Sequence, residues 1–231
     1  MNIPATINIP TGYIEMGFSD PLDIGYNGLM SKAQLDEIEK RSLFEIAGHG
    51  HMHNNSDEDV KMGMLKLKQW YPNVARFGFA SPHSELKDKD VISKMDFYRD
   101  NGICYVRLGR NFTKNNLPKR MLSMIATKSG GTKPYICCYK SSLNDGSKKI
   151  LHAIPIIKTT RLEQIKAIID YSVKNKKWCI LEIHGIDSKD SEEYKELFCW
   201  DRESFTMLCK YLVDLRSKGI IEIKRTVDVI G

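Results

Sequence analysis

Short runs rich in β-formers alternate with capped helical patterns along most of this chain, and that alternation limits the fold more than any other feature. Residues 3–9 read as a strand. Ser31 then stands as an N-cap, with Gln34 three residues on, opening a helix through about Arg41. Residues 43–47 read as the next strand, and Ser56 caps a helix ending near Tyr71-Pro72. A strand over 76–80, a helix from Asp88 stopped by Gly102, and a strand over 103–107 follow. From 108 to 147 the pattern loosens. Gly130-Gly131 and Asn144-Asp145-Gly146 mark turns there, so an irregular excursion with a hairpin is expected. Alternation resumes with a strand over 150–157, and Thr160 with Glu163 reads as a capping box for a helix to Asn175. A strand over 178–183, a helix from Asp201 to Gly219 and a strand over 220–224 complete the pattern. Such a chain builds a mainly parallel sheet, open or closed into a barrel, and gathers its sites at the carboxyl ends of the strands.

The 231 residues are 42% hydrophobic, enough for one sizeable core. A net charge of +6 is spread over scattered lysines, and patches such as 174–177 read as solvated helix ends, so no nucleic-acid partner is expected. No run reaches the roughly 20 apolar residues of a membrane span. The N-terminus lacks a basic segment followed by an apolar one, so no signal peptide and a cytoplasmic location are expected. Six cysteines with no C-x-x-C pair read as reduced, core-filling side chains.

The chemistry concentrates in "FEIAGHGHMHNNS", where His49, His51 and His53 occupy alternate positions just past a strand. Gly48 and Gly50 oppose a helix, and the glutamate of a zincin H-E-x-x-H is missing, so the segment reads as a loop. Glycine lets such a loop fold back until two ring nitrogens reach one ion. Three imidazoles in five residues at a strand end are therefore read as a metal site rather than as loose loop histidines. Asn54 or Asn55 is the expected supporting hydrogen-bond partner, and His51 is expected to point the other way, toward substrate or solvent. His83 and His184 follow two other strands, so three strands deliver histidine to one expected face. On its own, His184 reads equally as a core residue bonded to backbone or as a general acid or base. His152, inside a strand, reads as structural.

Taken in order, these segments resemble the polysaccharide deacetylase family, which includes chitin, chitooligosaccharide and peptidoglycan deacetylases. "ATINIPTGYI" resembles the family's second strand, A-T-F-F-V. "EIAGHGHMH" is similar to its metal motif, E-I-G-N-H-T-x-S-H, with Glu45, Ile46, His49 and His53 matching in position. "RFGFASPHS" resembles F-A-Y-P-Y-G through Phe79, Ala80 and Pro82, with Ala80 where other members carry arginine. "WCILEIHGI" resembles the late leucine–histidine motif, and "FTMLCKYLVDLRSKGIIEIKRTVDV" the closing helix and strand. The resemblance implies an α/β fold, an irregular seven-stranded (β/α) barrel with its first strand expected to be missing, and a single catalytic domain over 1–231. It implies a divalent metal, commonly zinc, held by His49 and His53. It implies His184 as the acid protonating the leaving amine, and the backbone amide at His83 as an oxyanion donor. The implied partner is an N-acetylated sugar or glycan, such as a surface-polysaccharide or lipopolysaccharide precursor.

One departure stands out. The family's first motif, F-D-D-G, supplies a metal aspartate and a base, and nothing in register supplies them here. "GFSD", ending at Asp20, lies on the wrong side of the second strand, and Asp145, Asp187 and Asp228 are the other carboxylates considered. The expectations left open are a chain shortened at its start, a non-catalytic relative that keeps a sugar-binding groove, or recruitment of another base. A different barrel hydrolase, such as a small amidohydrolase, would need further ligands that the sequence does not offer.

Overall fold

Each strand–helix unit forms for a local reason. The computed structural model describes residues 1–17, 29–109 and 117–230. Strand β1 (Ala5–Ile9) runs into the short helix α1 (Thr11–Met16). Helix α2 (Lys32–Glu39) starts at the expected capping box: the Ser31 side chain accepts from the Gln34 N–H, and Gln34 accepts from the Ser31 N–H. Strand β2 (Phe44–Gly48) follows. Helix α3 (Asp57–Trp70) is then capped by Ser56 and carries Asp57, Glu58 and Asp59 in its first turn, where the helix dipole favours negative charge.

Strand β3 (Phe77–Ala80) ends in a 3₁₀ turn over Pro82–Ser84. The single helix expected from Asp88 to Gly102 is two, α4 (Asp88–Ile92) and α5 (Met95–Asp100), and at the start of the first the Asp90 carboxylate accepts from the Lys87 N–H. Strand β4 (Ile103–Leu108) precedes α6 (Leu117–Ser129) and α7 (Thr132–Tyr139). Residues 117–139 were expected to be irregular and are two helices instead, with Gly130 in the left-handed region at the break between them. The strand expected over 150–157 is split into β5 (Ile150–His152) and β6 (Ile154–Ile156), which lie in different sheets. One feature explains the break: the Asn144 amide takes both the N–H and the carbonyl of His152.

At the start of helix α8 (Leu162–Lys174) the Gln164 side chain accepts from the Arg161 N–H, while the Thr160 hydroxyl turns back to accept from Ile157 N–H. Strands β7 (Leu181–Ile183), β8 (Gly185–Asp187) and β9 (Cys199–Asp201) lead into α9 (Arg202–Ser217), capped by Asp201 as expected and stopped at left-handed Gly219. Residues 220–224, expected as a strand, are not in strand conformation and lead into α10 (Thr226–Val229).

The architecture is mixed α/β around a five-stranded sheet of order β1-β2-β3-β4-β5, with parallel pairing from β1 to β4. Contacts divide the chain into two compact units. One takes residues 2–109, 147–151 and 224–231; the other takes residue 1, 110–146 and 152–223. In the first, Ile46, Phe77, Phe79 and Val106 face Leu35, Val60, Met64, Leu67 and Val91 in an apolar core. The opposite sheet face is polar. Buried Glu45 accepts from Thr6 Oγ1 at 2.6 Å, from the Tyr105 hydroxyl at 2.7 Å and from the Val227 N–H at 3.0 Å. Burial, reinforced by the Glu45 charge, holds the Tyr105 phenol well above its ordinary pKa. Gly78 is required beneath that ring, since a Cβ there would lie 2.0 Å from it.

In the second unit, β6 pairs with β7 and β8 with β9, all parallel, around a core of Ile154, Ile156, Ile165, Ile168 and Trp200. All six cysteines are free thiols. Among the described residues no helix is long and apolar enough to cross a membrane.

The cap of α9 gives a test with a defined sign. Burial pushes the Asp201 carboxyl up, but hydrogen bonds from Ser204 and the charge of Lys189 outweigh it and leave its pKa below the ordinary value. A lowered carboxylate pKa stabilises the fold above the unfolded-state value, and that contribution fades as pH falls through the folded one. Asp201→Ala is expected to cost about 1 kcal/mol near neutral pH in urea unfolding. The gap to the parent chain should narrow below about pH 4.

Candidate metal and catalytic site

The carboxyl ends of β1, β2 and β3 carry the histidine loops. His49 leaves β2 with its N–H donated to Ile9 O at 3.0 Å. Its Nδ1 lies 2.9 Å from Ala80 O. A carbonyl only accepts, so the proton is on Nδ1 and Nε2 presents its lone pair. His53, 8% exposed, brings its own Nε2 to 3.0 Å from that atom, with the rings edge-on at 4.5 Å. Two nitrogens bound to one tetrahedral zinc at about 2.0–2.1 Å each would stand roughly 3.3 Å apart. The expected pair, His49 and His53, is therefore brought together at nearly that separation.

His83, in the turn after β3, also joins the group: its ring lies 4.3 Å from that of His53, at 68°. His51 turns away from the pair, but onto Thr11 and Gly12 rather than toward substrate or solvent. Its Nδ1 is 3.0 Å from the hydroxyl of fully buried Thr11, and its ring packs over Gly12, where a Cβ would lie 2.9 Å from it. Among the described residues no group of three or more His, Cys, Asp or Glu side chains is arranged to hold a metal ion as it stands.

The loop is held by a residue the sequence did not single out. The buried Asp59 carboxylate, on α3, accepts from the N–H groups of His51 at 2.8 Å, Met52 at 2.7 Å and Asn54 at 3.2 Å. Gly50, at φ +78°, lets the backbone approach: a Cβ there would sit 2.4 Å from Asp59 Oδ2. Gly63 admits the same loop from the helix side, 2.8 Å from Gly50 C by the same measure. The only advance signal for Asp59 was its place three residues after the Ser56 cap.

Asn55 supports the site by joining loops rather than by bonding a ring. Its Nδ2 donates to Pro82 O and its Oδ1 accepts from Ser81 Oγ, both at 3.0 Å. Asn54 instead accepts from Ser56 N–H within its own turn. Arg107, 7% exposed, is paired in register with Ala80. Strand alternation puts it on the polar face with Tyr105.

His184 lies in the other unit, exposed between β7 and β8, its ring 5.0 Å from that of Phe198. His152 ends β5 against Asn144. Of the other carboxylates considered, Asp187 accepts from Arg202 and Asp228 from Arg225, each at 2.7 Å, while Asp20 lies outside the described residues. No protein family, curated protein or solved structure matches this chain.

Removing the Asp59 carboxylate leaves the N–H groups of Met52 and Asn54 to find other partners, and leaves that of His51 with only the Asp59 backbone carbonyl. Asp59→Ala is expected to lower stability by about 2–3 kcal/mol. In hydrogen exchange, the amides of His51, Met52 and Asn54 should lose protection ahead of those in β2.

Proposed function

We propose that this chain is a metal-dependent hydrolase that removes the N-acetyl group from an N-acetylated sugar or glycan, giving acetate and a free amine. The observation that carries this reading is the pair of imidazole nitrogens, His49 Nε2 and His53 Nε2, facing each other at 3.0 Å where the parallel strands end. Their donor type suits zinc, and the His49 tautomer set by Ala80 leaves the required lone pair outward. A deacetylase-type seven-stranded (β/α) barrel and a cytoplasmic polysaccharide or lipopolysaccharide precursor as substrate belong to the same proposal.

His49 and His53 would hold the divalent ion. Such an ion supplies Lewis-acid polarisation of an acetamide carbonyl and a water acidic enough to attack near neutral pH. The chain's own groups do the rest. Ala80 O fixes the His49 ring, Asp59 fixes the loop, and Asn55 fixes the distance between the two loops. The backbone amide at His83 is assigned the oxyanion, and His184 the proton delivered to the leaving nitrogen. Both assignments come from the sequence motifs.

The test is acetate release from a panel of N-acetylhexosamines and their oligomers, after chelation and zinc reloading. Acetate is expected with zinc and none with chelator. His184→Ala should keep bound zinc while kcat falls about 10²- to 10⁴-fold. Bound zinc with no acetate from any sugar would favour a non-catalytic carbohydrate-binding protein.

A further inference from the structure

We infer that His83 is the third protein ligand of the metal site, making it a three-histidine centre. This rests on the metal reading above and goes beyond the backbone role assigned to His83 there. Two imidazoles make a poor hydrolytic site, because zinc centres of that kind use three protein ligands and keep one position open. The described residues around the pair supply one more imidazole, that of His83, in ring contact with His53 at 4.3 Å.

The backbone is bent to put it there. His53, His83 and Ser84 all take left-handed conformations, with φ of 55°, 54° and 53°. None is glycine, and each such residue costs about 1–3 kcal/mol where nothing compensates it. The Asn55 bridge to Ser81 and Pro82 ties the His83 turn to the loop that carries His53. The His83 side chain is exposed, so its ring can turn toward the His49–His53 pair without breaking a packed core. That turn is what the proposal requires, since three donors do not converge as the rings stand.

The experiment is titration of chelator-stripped protein with zinc, and separately with cobalt(II), on the parent chain, His83→Ala, His83→Tyr and His49→Ala. The parent is expected to bind one ion. Both His83 variants should bind zinc more weakly by more than the roughly 10–100-fold caused by losing an outer hydrogen-bond partner. Their cobalt absorption should also change, reporting an altered ligand set. Thermal melts of the metal-free variants should match the parent, because the side chain is exposed. Parent-like affinity and an unchanged cobalt spectrum in His83→Ala, with affinity lost in His49→Ala, would overturn the His83 role and leave the two-histidine reading standing. A parent chain that binds neither ion would overturn both.

Discussion

Between β2 and α3 the chain makes a loop whose N–H groups at His51, Met52 and Asn54 point at one carboxylate, that of Asp59. Everything at the candidate site depends on that convergence. A buried amide without a partner is costly, so a loop this tight forms only if a compact acceptor reaches into it. Asp59 can reach because Gly50 and Gly63 leave no side chains in the way. With the loop so held, His51 faces Thr11 while His49 and His53 converge on the other side. One acidic side chain thereby sets the directions of three imidazoles without touching any ring.

The second constraint is the division of the sheet into two faces. The apolar face packs under α2, α3 and α4 and provides the rigidity. The polar face buries Glu45 with Thr6 and Tyr105, then presents Arg107 and His49 nearer the strand ends. Polar groups so placed are tolerable only because each finds partners, and Glu45 takes three.

Much of this was legible in the sequence where local chemistry decides structure. The Ser31–Gln34 box, the Ser56 and Asp201 caps and the Gly219 stop are short-range devices, and they formed as written. The His49–His53 pair was legible because the flanking glycines exclude a helix. Asp59 was not, because its partners are fixed by how closely a helix approaches a loop. Arg107 was hidden in an ordinary strand pattern, and only the packed sheet shows that it is buried. The break between β5 and β6 depends on Asn144, whose amide competes for a strand's hydrogen bonds from outside that strand. Helices α6 and α7 were obscured by the glycine pair between them, which separates two helices rather than two strands.

The tie between Val227 and Glu45 joins residues 182 positions apart. Synthesis runs from the N-terminus, so strands β1 and β2 leave the ribosome long before the segment that completes their buried face. Until Val227 emerges, Glu45 lacks one of its donors, and the nascent chain must carry that half-finished surface. Final closure of this unit therefore waits for the segment around Val227, made long after the strands it completes.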